Sequence, residues 1–199
     1  MFWVIIISTK PQFYQEINMI LYVNSCVRAQ SRTDRIARAV LKKLGEEYTE
    51  LYLPDENPEP LSESRHEKRT KLIESGDFSD DIFRLAKQFA QAEKIVISAP
   101  YWDLSFPSIL KLYIENIFVT GIVSEYSSDG IPHGLCKADE LIYVTTSGGP
   151  YVPDYGFGYI KELAQHYLGI PKATLIKAEM LDVDGFDAEE IVKKTISEL

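Results

Sequence analysis

The chain has 199 residues, 45% of them hydrophobic and 26% charged, which suits one globular domain and excludes a disordered or fibrous protein. Lys and Arg number 21 against 30 Asp and Glu, a formal charge of −9, so the molecule as a whole repels phosphate backbones and anionic lipid; neither nucleic acid nor a membrane is an expected partner. No apolar run approaches the ~20 residues of a membrane-spanning helix, and two cysteines, Cys26 and Cys136, cannot build a disulfide framework, so a reducing, cytoplasmic setting is expected.

Residues 1–18 stand apart. Phe2 to Ile7 is apolar, but Lys10, Pro11 and Gln12 end the run, and it lacks the basic start, long apolar stretch and small-residue cleavage site of a signal peptide. We read Met19 as the natural start, residues 1–18 as an extension of unknown role and residues 19–199 as one domain. The alternative for the extension is an added edge strand.

From Met19 the pattern alternates between strand and helix. Ile20 to Val23 reads as a buried strand ending in Asn24-Ser25. Ser31, Thr33 and Asp34 offer helix-cap chemistry; Ile36, Ala37, Val40, Leu41 and Leu44 follow at helical spacing, and Gly45 suits the stop. Tyr48 to Leu53 alternates as a second strand. Pro54 to Asp81 holds nine acids against four bases and reads as a solvated connection, helical in part near Glu63 to Glu74. Ile82, Phe83, Ala86, Phe89 and Ala90 mark the next amphipathic helix, and Lys94 to Ala99 a buried strand stopped by Pro100.

Pro107 suits the first turn of another helix, with Ile109, Leu110, Tyr113, Ile114 and Ile117 as its apolar face. Val119 to Leu135 is rich in Ser, Asp and Gly and reads as a hairpin or loop. Leu141 to Thr145 is a fourth strand, Tyr159 to Leu168 a helix, Ala173 to Ala178 a fifth strand and Ala188 to Leu199 a final helix. Short strands separated by helices imply a doubly wound α/β fold, a five-stranded parallel sheet with helices on both faces.

In such a sheet, ligands bind beyond the carboxyl ends of the strands. Three loops leave those ends. The first, Ser25 to Thr33, places Ser25, Ser31 and Thr33 before a helix, where free N–H groups and the helix dipole favour an anion, and Arg28 and Arg32 add charge; a terminal phosphate fits. Ordinary capping explains the same hydroxyls equally well. The second, Pro100 to Pro107, gathers Tyr101, Trp102, Leu104 and Phe106, rings suited to covering a flat heteroaromatic ligand, although Phe106 fits the core better. The third, Thr146 to Tyr151, has Gly148-Gly149, where backbone can approach a ligand closely or simply turn.

Together the segments PYWDLSFPSILKLYIENIF (100–118), TTSGGP (145–150) and Ser25…Ser31-Arg32-Thr33 resemble the FMN-dependent NAD(P)H:quinone oxidoreductases and azoreductases of the flavodoxin-like superfamily, over residues 19 to about 179. The resemblance implies a flavodoxin-like sheet of strand order 2-1-3-4-5 and an FMN cofactor reduced by NAD(P)H. Ser25, Ser31, Arg32 and Thr33 would hold the phosphate. Pro100, Tyr101, Trp102, Asp103 and Leu104 would line the isoalloxazine, and Thr146, Ser147, Gly148 and Gly149 would approach its pyrimidine side. Asp103 stands where many members carry Asn, and Arg32-Thr33 replaces a more usual polar pair. The family's chemistry further implies two-electron, ping-pong reduction of small acceptors such as quinones or azo compounds, and a homodimer with its active site at the subunit interface. Flavin carries the hydride, so no protein acid or base is demanded; Tyr151 and His133 are candidates for the acceptor pocket, and packing explains each as well. No His, Cys, Asp or Glu spacing suggests a metal.

Two other readings remain at this point. Cys26, five residues, Arg32 and Thr33 resemble the phosphate loop of low-molecular-weight tyrosine phosphatases, with Asp154 or Asp182 as the acid; a low-pKa Cys26 thiolate would then be the nucleophile. A non-enzymatic flavodoxin-type electron carrier would suit the acidic charge.

Overall fold

The computed structural model describes residues 20–199; the extension and the start at Met19 lie outside the described residues. Strands β1 (Ile20–Asn24), β2 (Tyr48–Tyr52), β3 (Lys94–Ser98), β6 (Glu140–Thr146) and β7 (Lys172–Ala178) form one sheet. Its order is β2-β1-β3-β6-β7, every neighbouring pair parallel. Between β3 and β6 lies a separate antiparallel pair, β4 (Ser124–Tyr126) and β5 (Pro132–Gly134). Counting only the parallel strands, this is the expected order 2-1-3-4-5.

Two apolar layers cover the sheet because successive side chains alternate between its faces. Ile20, Tyr22, Val96, Ile142 and Val144 face helices α1 (Arg32–Leu44) and α7 (Ala188–Ser197). Leu21, Val23, Ile95, Ile97, Leu141 and Tyr143 face α4 (Arg84–Gln91), α5 (Ser108–Ile117) and α6 (Phe157–His166). All five residues of β1 are buried, whereas edge strand β2 buries only Leu51. Central parallel strands are covered on both faces and so read as unbroken apolar runs.

Most boundaries follow local chemistry. Ser31 caps α1 by accepting from Asp34 N–H, and Gly45 closes it at φ 70°. The polar connection contains two helices: a short α2 (Leu53–Glu56), not expected from sequence, and α3 (Glu63–Ser75), which buries none of its residues. Ser62 and Gly76 cap α3, so its ends are set locally, and Leu72 and Ile73 pack partly buried against the core. Pro107 sits just before α5 as its cap residue rather than inside the first turn. Helix α6 starts two residues earlier than expected because the Tyr151 hydroxyl and the Asp154 carboxylate accept from the N–H groups of Phe157 and Gly158. Those acceptors precede the helix and carry no apolar periodicity.

Candidate functional site

The loops after β1, β3 and β6 converge at the carboxyl end of the sheet, joined by the one after β7. They enclose a cleft of about 580 Å³, within the usual range for cofactor sites, ~300–1,000 Å³. Ser31, Arg32, Thr33, Pro100, Tyr101, Trp102, Thr146, Ser147 and Gly148 all line it.

The first loop is fastened from below by a buried polar network. Ser25 N–H and Oγ both donate to Ser98 O, at 3.0 and 2.8 Å. The Asn24 carboxamide oxygen accepts from Cys26 N–H and Ser98 Oγ, while its nitrogen donates to Asp34 and Glu50. Tyr22 donates to Asp34 at 2.6 Å; burial and that carboxylate hold its phenol protonated, far above the ordinary tyrosine range. These bonds fix the chain just before α1. Ser25 is therefore spent beneath the loop and does not reach the cleft. Ser31 and Thr33 remain at its floor, and Thr33 Oγ1 meets Thr146 Oγ1 at 2.7 Å, tying the first loop to the third. Arg28, Arg32 and Arg35 gather at this end in an otherwise acidic chain.

The second loop turns on Asp103 and Leu104, both at positive φ (48° and 68°). Trp102 and Ser105 exchange two backbone hydrogen bonds, at 3.2 and 2.8 Å, closing a two-residue hairpin. Such a turn needs positive φ at both central positions and favours Asn, Asp or Gly there; Asp103 suits it, whereas Leu104 resists it. The hairpin leaves Trp102 38% exposed on the cleft, while Asp103 and Leu104 stand outside the lining. Tyr101 donates from its hydroxyl to Pro153 O, and its ring packs on Tyr151 at 4.7 Å between centroids.

The third loop is zipped to the segment after β7. Met180, Leu181 and Asp182 N–H donate to the carbonyls of Gly149, Ser147 and Gly148, at 3.2, 3.2 and 2.9 Å. Gly149 O also accepts from Ser147 Oγ at 2.6 Å, and Gly149 lies outside the lining, whereas Ser147 and Gly148 face the cleft. Leu181, Asp182 and Glu189 thereby become lining residues that sequence reasoning did not assign to a cofactor. The available signal was position: their segment leaves the carboxyl end of the fifth parallel strand.

Two candidates are placed elsewhere. Tyr151 is buried behind Tyr101; its hydroxyl donates to Asp154 at 2.8 Å, and burial raises its pKa further from neutrality. Its backbone N–H donates to Glu179, which Lys177 also contacts. Burial would raise the Glu179 carboxyl, but these donors outweigh it and hold the group below the ordinary carboxylate range. Tyr151 thus backs the second loop rather than facing the cleft. His133 lies in β5, beside Gly134, whose backbone abuts Gly169 at the end of α6. Because α5 runs away from the carboxyl rim, the hairpin that follows it lands at the other end of the sheet, and this chain does not bring His133 to its own cleft.

The same geometry weighs against phosphatase chemistry. The Cys26 side chain is buried, with Sγ 3.5 Å from Ser98 Oγ, and burial pushes the thiol above its ordinary pKa. An attacking thiolate needs the opposite shift. Among the described residues no group of side chains suits a metal ion, and no helix there is long and apolar enough to cross a membrane.

A sequence profile described as flavodoxin-like fold matches residues 18–199. The chain belongs to this family. The FMN-dependent NADH:quinone oxidoreductase 2 of Clostridium acetobutylicum is 34% identical over 194 residues, covering 90% of this chain and 95% of that relative. An azoreductase from Bacillus anthracis str. Sterne superposes with a TM-score of 0.76 at 21% identity, over 90% of this chain and 95% of its own. An FMN-dependent NADH-azoreductase of Bacillus anthracis str. Ames Ancestor, solved with FMN, gives 0.74 at 20% identity, over 92% and 95%. At those identities the structural likeness speaks for the shared fold.

Proposed function

We propose that this chain is an FMN-dependent NAD(P)H oxidoreductase that reduces quinones, azo compounds or similar small acceptors by two-electron transfer, acting in the cytoplasm as a homodimer. The observation that carries the reading is the division of one cleft into two chemistries. One end offers hydroxyls and arginines at a helix N-terminus; the other offers rings and close-approach backbone. A phosphorylated, planar heteroaromatic molecule has both halves. The oxidoreductase of Clostridium acetobutylicum, similar to this chain along nearly all its length, is named for the same cofactor, with NADH as donor.

FMN, when bound, supplies the hydride-accepting and hydride-donating chemistry. The protein's task is to hold and shield it. Ser31, Thr33 and Arg32 suit the phosphate, since anions bind where the first turn of a helix presents its N–H groups. Pro100, Tyr101 and Trp102 suit one side of the ring system, and Thr146, Ser147 and Gly148 its polar edge. Tyr101 is kept in place by Tyr151 and Pro153, so the ring wall is set before any ligand arrives. The lining carboxylates, Asp182 and Glu189, are paired with Arg32 and Arg35 at the phosphate end, so acceptor choice rests on shape and apolar cover, consistent with a broad acceptor range.

The test is spectroscopic. Purified protein, loaded with FMN if isolated without it, is titrated with NADH and then with a benzoquinone under nitrogen. Bleaching of the flavin bands by NADH and their recovery on quinone addition is the expected result. Protein that quenches no FMN fluorescence would sink the proposal. An electron carrier would instead bind FMN but resist bleaching by NADH.

A further inference from the structure

The cleft's phosphate end contains a carboxylate that its purpose does not require. Asp182 accepts from Arg32 Nη1 at 3.0 Å, and the same guanidinium nitrogen reaches Leu181 O at 3.4 Å. Its backbone is pinned, because Asp182 N–H donates to Gly148 O at 2.9 Å. Its side chain lies over Gly148, where a Cβ would stand 2.7 Å from Asp182 Oδ2. The third loop, the segment after β7 and the start of α1 therefore meet at one acid.

That acid does little for stability. Arg32 and Asp182 keep side-chain exposures of 37% and 71%, and such exposed pairs contribute little to folding. Its placement matters more for an anion. A phosphate monoester carries a charge of about −2 near neutrality, and a carboxylate bound to the same arginine both repels it and competes for the guanidinium. The other lining carboxylate, Glu189, is taken up in a two-pronged pair with Arg35, both contacts at 2.8 Å.

We propose that Asp182 is a specificity-determining residue of the cofactor site, a carboxylate that shares Arg32 with the FMN phosphate and weakens the hold on that dianion. The inference rests on the placement of the phosphate at the start of α1. Asp182 engages Arg32 from the segment after β7, and it sets the affinity for the phosphorylated flavin without touching the ring system. Selection between FMN and its unphosphorylated form is thereby shallower than three arginines alone would give.

Asp182→Asn keeps the shape and an acceptor for Arg32 while removing the charge. Wild type and variant are titrated with FMN and with riboflavin, which shares the ring but lacks the phosphate, by quenching of flavin fluorescence. The variant is expected to bind FMN about fivefold tighter and riboflavin unchanged, with the FMN gain shrinking in 1 M salt as screening shortens to ~3 Å. Thermal melting confirms the fold, and Asp182→Ser replaces the variant if its melting point falls. Equal or weaker FMN binding by a folded variant overturns the role of Asp182, as does an equal gain for riboflavin. Wild-type protein that binds riboflavin but gains nothing from the phosphate, or binds neither flavin, overturns the phosphate site itself and this inference with it.

Discussion

The two ends of the sheet are built from the same chain in the same way, yet they spend their backbone differently. At the amino-terminal end the connections bond to one another: Cys136 N–H to Leu168 O, Lys137 N–H to Ala90 O, Asp139 N–H to Glu93 O. Gly134 and Gly169 close the seam at contact distance. At the carboxyl end the loops are held from beneath and behind, by Ser98, Asn24 and the zipper after β7, and their faces open into the cleft. A stable end satisfies its polar groups internally. A binding end satisfies just enough of them to hold its shape.

The largest effect belongs to the closed end. A Cβ on Gly134 would stand 1.9 Å from Gly169 N and 2.0 Å from Leu168 C, backbone atoms that cannot rotate away. Gly134→Ala is expected to cost about 3 kcal/mol or more, lowering the melting temperature by ~10 °C, with flavin affinity intact in the fraction that folds. An unchanged melting curve would show the seam to be loose and the contrast between the ends to be false.

The open end is expected to respond in binding rather than in stability. Trp102→Ala, which removes a half-exposed ring from the cleft wall, should weaken FMN and riboflavin alike by about tenfold, measured by fluorescence titration. Ser31→Ala should weaken FMN by several-fold and spare riboflavin; the lost cap on Asp34 N–H adds about 1 kcal/mol of destabilisation. If both substitutions affect both flavins equally, the cleft is not divided into a ring end and a phosphate end.

Smaller still is the strain in the second loop. Leu104 holds φ 68° with half its surface exposed. Leu104→Gly should raise stability by about 1 kcal/mol in melting experiments, because glycine adopts that conformation at no steric cost. A loss instead would mean that the side chain packs on something the single chain does not display, such as a second subunit.

The least effect is electrostatic and returns to the closed end. Burial would raise the Glu140 carboxyl, but hydrogen bonds from Lys172 (2.8 Å) and Thr174 (2.9 Å), together with Lys94, outweigh it and hold the group below its ordinary value of 4.5. A depressed carboxylate contributes stability that is full above its unfolded pKa and is lost as pH falls through the folded one. Glu140→Gln should therefore lower the melting temperature by about 1–2 °C at pH 7, with the difference fading as pH falls below 4.5 and gone below the folded pKa.

Much of this architecture was legible in the residues themselves. The strand β1 from Ile20, the cap at Ser31, the stop at Gly45 and the long segment from Pro100 to Phe118 all state their structure within a few positions. The α2 turn was missed because Leu53 to Glu56 is too short for a period, and the start of α6 because its caps, Tyr151 and Asp154, lie outside the apolar pattern. Of the site, the residues named from the three loops met in one cleft, save Ser25 and Gly149, whose polar atoms bond within the fold, and Asp103 and Leu104, which the hairpin carries outside the lining.

By itself the sequence determined which segments become strand or helix and which loops are rich in hydroxyl, ring or glycine, because propensity, capping and alternation act over short distances. Only the tertiary structure decided that Ser25 faces down to Ser98, that Tyr151 backs Tyr101, and that Asp182 reaches Arg32 from 150 positions away. Those outcomes depend on which strand ends become neighbours. The parallel winding fixes that by packing two apolar layers across the whole sheet, and no local run of residues contains it.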